Sequence, residues 1–412
     1  MKKLYSLGLS LALAGCMLAA PAMAGNHGQH EGFEKGRAKN IIFMVPDGMG
    51  LADVTATRIF ENGPNGKRLA FEKMPVIGYQ STFSADSTIT DSAAAGSAWA
   101  IGEKVDNGEI SCHSQGNENC TNAPDTILEI AKKMGKATGL VVTSQISHAT
   151  PAVFGAHTKS RNCGAEIARQ YIEETGVDVI LGGGIYKTKD YCANYTISFP
   201  WTTDGDNGRP EIVNSAYEHG YDVVETKSEL VDALDDHPHK LLGMFDPTNS
   251  GKTVEMFRVD PTVSYPAEEP TLVQMTDAAL NILEKDREGF FLMVEGSQID
   301  WENHANNGER QIAETLGFEK SVQAVLNWVG KNENRKKNTL VVVVADHETG
   351  GYAINGPSNR LSTAGEIVEA GWTSGGHTGV DTIIWAQGPG SKGFGRALDN
   401  TDLFWLMKKA MR

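Results

Sequence analysis

Positive charge is what this chain has least to spare. Its 412 residues hold 37 Lys and Arg against 52 Asp and Glu, a formal net charge of −15. Nucleic acid binding needs a basic face, so that partner class is excluded. An anionic ligand would have to be drawn in by local cations, not by the global field. Apolar runs are scarce as well. Beyond residue 24 none approaches the roughly 20 residues required to cross a bilayer. There are only five cysteines and no C-x-x-C pair, which argues against a cysteine-held zinc. The G-x-S-x-G frame of activated serines is missing, and Gly251-Lys252-Thr253 fails as a phosphate loop because Asp246 stands where glycine is required.

The N-terminal segment does contain an apolar run. Lys2 and Lys3 precede Leu4 to Ala20, and Ala22-Met23-Ala24 supplies a small-residue cleavage site. This reads as a signal peptide over residues 1–24, and hence as a periplasmic or secreted protein. The competing reading is a lipid anchor through Cys16 in Leu13-Ala14-Gly15-Cys16. Removing Lys2 and Lys3 would take the net charge from −15 to −17. Four cysteines then remain, and an even number in an exported chain suggests two disulfides. The simplest pairing is Cys112–Cys120 with Cys163–Cys192, although two other pairings of four cysteines stay open.

Residues 25–39 are polar and glycine-rich and are expected to form a flexible lead-in. From residue 40 to 412 one domain is expected. Strand-like runs recur at Asn40–Val45, Val76–Gln80, Thr138–Thr143, Val177–Leu181, Lys240–Phe245, Phe290–Val294, Thr339–Ala345 and Thr382–Ala386. Helical patterns lie between many of them, at Asp125–Met134, Ala165–Thr175, Thr271–Lys285 and Glu309–Gly330. Continuous apolar strands alternating with helices predict an α/β fold, with a mostly parallel central sheet sandwiched by helices. Residues 191–210 and 349–376 read as loop-rich excursions.

Chemistry-bearing side chains gather where these strands end. Asp47 follows Ile41–Pro46; Glu295 follows Phe290–Val294, with Asp300 and His304 four apart just beyond; Asp346-His347 follows Val341–Ala345. Parallel strands deliver such residues to one edge. On a helical turn, Asp300 and His304 would share a face, which suits two ligands of one metal. His377 sits among glycines, in Gly375-Gly376-His377-Thr378-Gly379. Ser92 opens an Ala-rich stretch that reads as a helix start, where unpaired N–H groups attract an anion. Each residue alone has an ordinary structural reading as a cap, a turn or a helix-surface pair. Together they suggest metal-assisted chemistry on an anionic substrate with a serine nucleophile.

The set Pro46-Asp47-Gly48-Met49-Gly50, Thr90-Asp91-Ser92-Ala93-Ala94, Glu295-Gly296-x-x-Ile299-Asp300, Ala345-Asp346-His347 and His377-Thr378-Gly379 resembles the bacterial alkaline phosphatases, in that family's order. The resemblance implies hydrolysis of small phosphate monoesters through a phosphoserine at Ser92, with broad substrate range. Asp300, His304 and His377 would hold one zinc, and Asp346 and His347 with Asp47 a second. Asp47 would also bridge to a magnesium held by Glu295 and Thr150. Arg161 matches the arginine that clamps phosphate, with Asp91 orienting it. A homodimer is also implied, though no apolar interface is legible.

Two positions depart from the enterobacterial pattern. His148 stands where that branch has Asp, and Trp301 where it has Lys, a pair similar to a branch from marine and cold-living bacteria. A neutral imidazole at 148 should weaken magnesium and admit zinc at the third site. The cysteine frame of the related sulfatases does not occur around Ser92.

Overall fold

Apart from Val76–Ser81, where Ile77 and Tyr79 are exposed, the apolar runs form strands with almost no exposed side chain, and their order fixes where the chemistry-bearing residues emerge. The computed structural model describes residues 36–113, 120, 122–185, 209–245 and 268–411. The expected signal peptide, Cys16, most of the lead-in, Cys192 and residues 191–208 lie outside them. Glu34–Arg412 form one compact unit.

In chain order the strands are β1 (Asn40–Pro46), β2 (Val76–Ser81), β3 (Ala137–Gln145), β4 (Val179–Gly183), β5 (Asp222–Val224), β6 (Leu241–Met244) and β7 (Phe290–Gly296). They continue with β8 (Thr339–Val344), β9 (Glu348–Thr349), β10 (Ala353–Gly356), β11 (Glu369–Gly371), β12 (His377–Thr378), β13 (Thr382–Gln387) and β14 (Ala397–Asp399). One large sheet runs in the order β14-β2-β13-β8-β1-β7-β3-β4-β6-β5. All its pairings are parallel except those of β13 with β2 and β8. Apolar cores lie on its two faces, one including Phe43, Val142 and Met293, the other Met44, Val141 and Val294. Burying such side chains is worth roughly 1.5–3 kcal/mol each.

The expected α/β architecture holds, with differences at the margins. The Asp125–Met134 pattern becomes the helix Ile127–Lys133, capped by the Thr126 hydroxyl on Glu129 N–H. The 165–175 pattern divides into an α-helix, Gly164–Arg169, and a π-helical turn, Gln170–Thr175. Within 349–376, expected to be loop, β10 and β11 pair antiparallel, and β9 pairs with β12. These strands are too short for a period-2 signal.

Candidate metal centre

The four neighbouring central strands β8, β1, β7 and β3 all run in parallel and end at one edge. Asp47 follows β1, Glu295 is the penultimate residue of β7, Asp346-His347 follow β8, and His148 and Thr150 follow β3. Val45 is in register with Glu295, and Pro46 with Gly296, so Asp47 emerges beside Glu295. Gly48 makes this convergence possible. Its φ is +71°, and a Cβ there would come within 2.8 Å of the Asp300 backbone and side chain.

Asp300 and His304 lie on the short helix Gln298–His304 that follows β7. His377 arrives from elsewhere, carried on β12 by its pairing with β9 immediately after His347. Ser92 is the first residue of the helix Ser92–Ile101, whose cap is Asp91 accepting from Ala94 N–H at 2.9 Å. Beneath that helix, Trp99 stacks edge-on against Phe43 of β1. The serine is therefore held against the sheet by packing.

Three imidazoles are oriented in one sense. His304 Nδ1 lies 2.8 Å from the Gly375 carbonyl and His377 Nδ1 lies 2.8 Å from the Thr90 carbonyl. Carbonyls only accept, so both Nδ1 atoms carry the proton and donate. Thr349 Oγ1 donates to Asp300 Oδ1 and stands 3.3 Å from His347 Nδ1, which gives His347 the same tautomer. In neutral rings the three Nε2 lone pairs are then turned inward. His304 Nε2 and His377 Nε2 are 3.1 Å apart, and the latter is 3.6 Å from Asp300 Oδ1. His347 Nε2 lies 3.0 Å from Asp346 Oδ2, 3.8 Å from Asp47 Oδ1 and 3.3 Å from Ser92 Oγ. Lone pairs and carboxylates this close repel unless a cation or proton stands among them.

The carboxylates make the same point. Both oxygens of Asp47 and of Glu295, one of Asp346 and the Thr150 hydroxyl are buried without a well-formed hydrogen bond. Burial, then the fields of Asp346, Asp300 and Glu295, pushes Asp47 well above the carboxylate range. Burial also lifts Glu295 to about 7, although the Ser297 and Thr150 hydroxyls hold it down. Burial depresses His377 to about 4, helped by His347. The hydrogen bond with Asp300 lifts His304 to about 9 against its partial burial. A donor set of carboxylates and inward imidazoles fits hard and borderline divalent cations.

Three groups of side chains place ligand atoms within 4.8 Å of one another: Asp300, His304 and His377; Asp47, Asp300 and His347; and Asp47, His148 and Glu295. Asp47 and Asp300 each serve two groups, which is what closely spaced ions require. Asp346 stays in contact through His347. If His304 serves as a zinc ligand it must first shed that proton, and zinc uptake by the metal-free protein should then release protons. Its affinity should rise by up to about tenfold per pH unit from neutrality towards 9, measured by titration against a zinc indicator. Equal affinity across that window would contradict the assignment.

Arg161 comes from the loop tied down by Arg161 N–H to the Gly108 carbonyl and by the Ile110–Thr158 bridge. Its Nη1 donates to Asp91 Oδ2 at 2.9 Å, and its Nη2 stands 3.3 Å from His148 Nε2. A guanidinium only donates, so His148 Nε2 accepts. Burial, with Arg161 adding, lowers His148 to about 3, so the ring is neutral. Trp301 meets His148 edge-on, with ring centroids 5.7 Å apart. Cys112 and Cys120 form a disulfide, and Cys163 is disulfide-bonded too, its expected partner Cys192 being outside the described residues.

Sequence reasoning passed over several supporting residues. Glu348 accepts from the N–H groups of Gly351 and Tyr352 and from Thr378, knitting the His347 and His377 segments together. Thr349 and Ser297 brace Asp300 and Glu295. Their one signal was adjacency to the ligand-like residues.

The alkaline phosphatase family model matches residues 38–366. Alkaline phosphatase 3 of Bacillus subtilis is 30% identical, over 100% of this chain and 97% of its own. The solved alkaline phosphatase of the Antarctic bacterium TAB5 is 28% identical, with a TM-score of 0.71 over 91% of this chain and 98% of its own. A variant of that enzyme with a histidine changed to aspartate holds magnesium in its M3 site. A cold-active alkaline phosphatase from Shewanella is 28% identical, with a TM-score of 0.72 over 90% of this chain and 100% of its own. A family match across most of the chain and a convergent carboxylate–imidazole site make this protein a member of the alkaline phosphatases, metal-dependent hydrolases of phosphate monoesters.

Proposed function

We propose that Ser92 is the nucleophile, that Asp300, His304 and His377 hold one zinc, and that Asp47, Asp346 and His347 hold a second. The observation that carries this is the 3.3 Å approach of Ser92 Oγ to His347 Nε2, where an imidazole lone pair, two buried carboxylates and the hydroxyl face one another. Bound there, the zincs supply Lewis acidity: they lower the pKa of hydroxyls and water and stabilise developing oxyanions. The chain's own residues do the positioning. Ser92 Oγ attacks phosphorus at the helix N-terminus, where backbone N–H groups favour the dianion. The Ser92–phosphorus bond forms as the ester P–O bond breaks and the alcohol departs. Water then hydrolyses the phosphoserine, releasing phosphate and restoring the hydroxyl. Arg161, aimed by Asp91, clamps two phosphate oxygens through both steps. Every recognised group lies on the phosphate, so the range of monoesters is broad. Rapid acid quenching with a labelled monoester should place label on the peptide containing Ser92. Label elsewhere, or none during turnover, would refute the assignment.

The third group, Asp47 and Glu295 with Thr150, suits magnesium, and His148 within it tilts the balance towards zinc. The histidine-to-aspartate variant of the TAB5 enzyme that carries magnesium in M3 supports this reading. Trp301 brings no cation to the phosphate, so product should leave readily. Trp301→Lys is expected to tighten phosphate inhibition by about tenfold, read as the phosphate Ki against p-nitrophenyl phosphate. An unchanged Ki would contradict this role. Export to the periplasm or beyond is supported by the leader sequence and by the Cys112–Cys120 disulfide. A homodimer is the assembly proposed.

A further inference from the structure

Behind the turn that follows Asp47 lies a second group of buried oxygens that the catalytic scheme does not use. Asp53, on the helix Leu51–Asn62, is fully buried, and its Oδ2 accepts from Gly50 N–H at 2.7 Å. Asn303 Nδ2 reaches both Asp53 Oδ2 and the Gly48 carbonyl at 3.3 Å. Both contacts are acceptors, which fixes the amide orientation and turns Asn303 Oδ1 the other way. Thr57 lies one turn beyond Asp53 on the same helix face. Tyr352 feels the Asp53 charge, and its hydroxyl lies 3.8 Å from where a Cβ would stand at Gly308.

Asp53 Oδ1, Asn303 Oδ1, Thr57 Oγ1 and the Tyr352 hydroxyl are all buried and none has a hydrogen-bond partner. Leaving one such atom orphaned costs about 1–3 kcal/mol, and Asp53 links the four: Asn303 donates to it, Thr57 shares its helix face and Tyr352 feels its charge. Every atom of the set is oxygen, and the surrounding apolar cluster includes Ala56, Ile312 and Leu316. The nearby Glu348 carboxylate is already occupied by Gly351, Tyr352 and Thr378.

We propose that Asp53, Asn303, Thr57 and Tyr352 form a binding site for an alkali cation, sodium or potassium, separate from the catalytic metals. One uncommitted carboxylate among neutral oxygens is too little charge to hold a divalent ion firmly, because affinity for hard cations follows ligand charge. Burial, with the Glu348 charge adding, pushes the Asp53 carboxyl well above its usual range, and what opposes this is the Gly50 N–H and the Asn303 amide, not a basic side chain. The cation would supply that missing positive charge. Asp53 and Asn303 hold Gly50 and Gly48, so the ion would brace the turn carrying Asp47.

The test is thermal unfolding of the holoenzyme, with zinc and magnesium held constant, in sodium, potassium or choline chloride at matched ionic strength. Sodium or potassium should raise Tm above choline by at least about 2 °C, and the better of the two identifies the ion. Asp53→Asn should abolish the difference. Thr57→Val, a near-isosteric change that removes one oxygen, should reduce it even if Asp53→Asn fails to fold. Equal Tm in all three salts would overturn the proposal and indicate a protonated Asp53 bonded within the protein. A salt difference undiminished in both variants would overturn it too.

Discussion

Replacing Ser92 by alanine is expected to lower kcat for p-nitrophenyl phosphate by roughly 10³–10⁶-fold while zinc content is retained. Ser92 is 2% exposed and stands at a helix N-terminus, so a smaller side chain disturbs neither fold nor cage. The helix start is capped by Asp91, not by Ser92. The variant keeps every proposed metal ligand and loses only the atom that bonds to phosphorus. Kinetics paired with elemental analysis check this. Substantial residual turnover would mean that water attacks the ester directly and that the phosphoserine assignment is wrong. Lost zinc would mean that Ser92 serves the cage itself.

Removing Asp300 should have a comparable effect by another route. Its carboxylate contacts His304 Nε2 at 3.3 Å and His377 Nε2 at 3.6 Å, and also accepts from Thr349. It is the one residue common to the groups containing His304 and His347. Its own pKa is lowered: burial pushes it up, but the His304 hydrogen bond and the fields of His347, His377 and His304 outweigh that. Asp300→Ala would leave those imidazoles without their shared counter-charge. Lewis-acid stabilisation is worth several kcal/mol, and each 1.36 kcal/mol is tenfold in rate. A fall of about 10³-fold or more in kcat/KM is therefore expected, with zinc below one equivalent per chain. Near-normal activity at full zinc occupancy would contradict the shared-ligand role.

Much of this site is legible in the amino-acid sequence, for a physical reason. A parallel strand buried on both faces must be apolar throughout, so the first charged residue after it stands out. Asp47, Glu295 and Asp346-His347 each follow such a run, and the sheet order places their strands side by side. The Asp300–His304 spacing works because a helical turn forms there. His377 was legible only through its glycine-rich setting and the family resemblance, since the β9–β12 pairing that delivers it involves two residues per strand. Arg161 depends on a backbone tie to Gly108, a contact across 53 positions that leaves no local pattern. Glu348, Thr349 and Ser297 were missed because they orient the ligand-like residues and the segments that carry them. Such orientation is a property of three-dimensional hydrogen bonding, not of spacing.

Diffraction from crystals of the zinc-loaded enzyme, recorded on both sides of the zinc absorption edge, tests the central claim most directly. Two anomalous peaks about 4 Å apart are expected, one among Asp300, His304 and His377, the other among Asp47, Asp346 and His347 beside Ser92, with a third beside Asp47 and Glu295 where zinc takes the place of magnesium. A single peak, or zinc bound away from these side chains in an enzyme that still turns over, would contradict it.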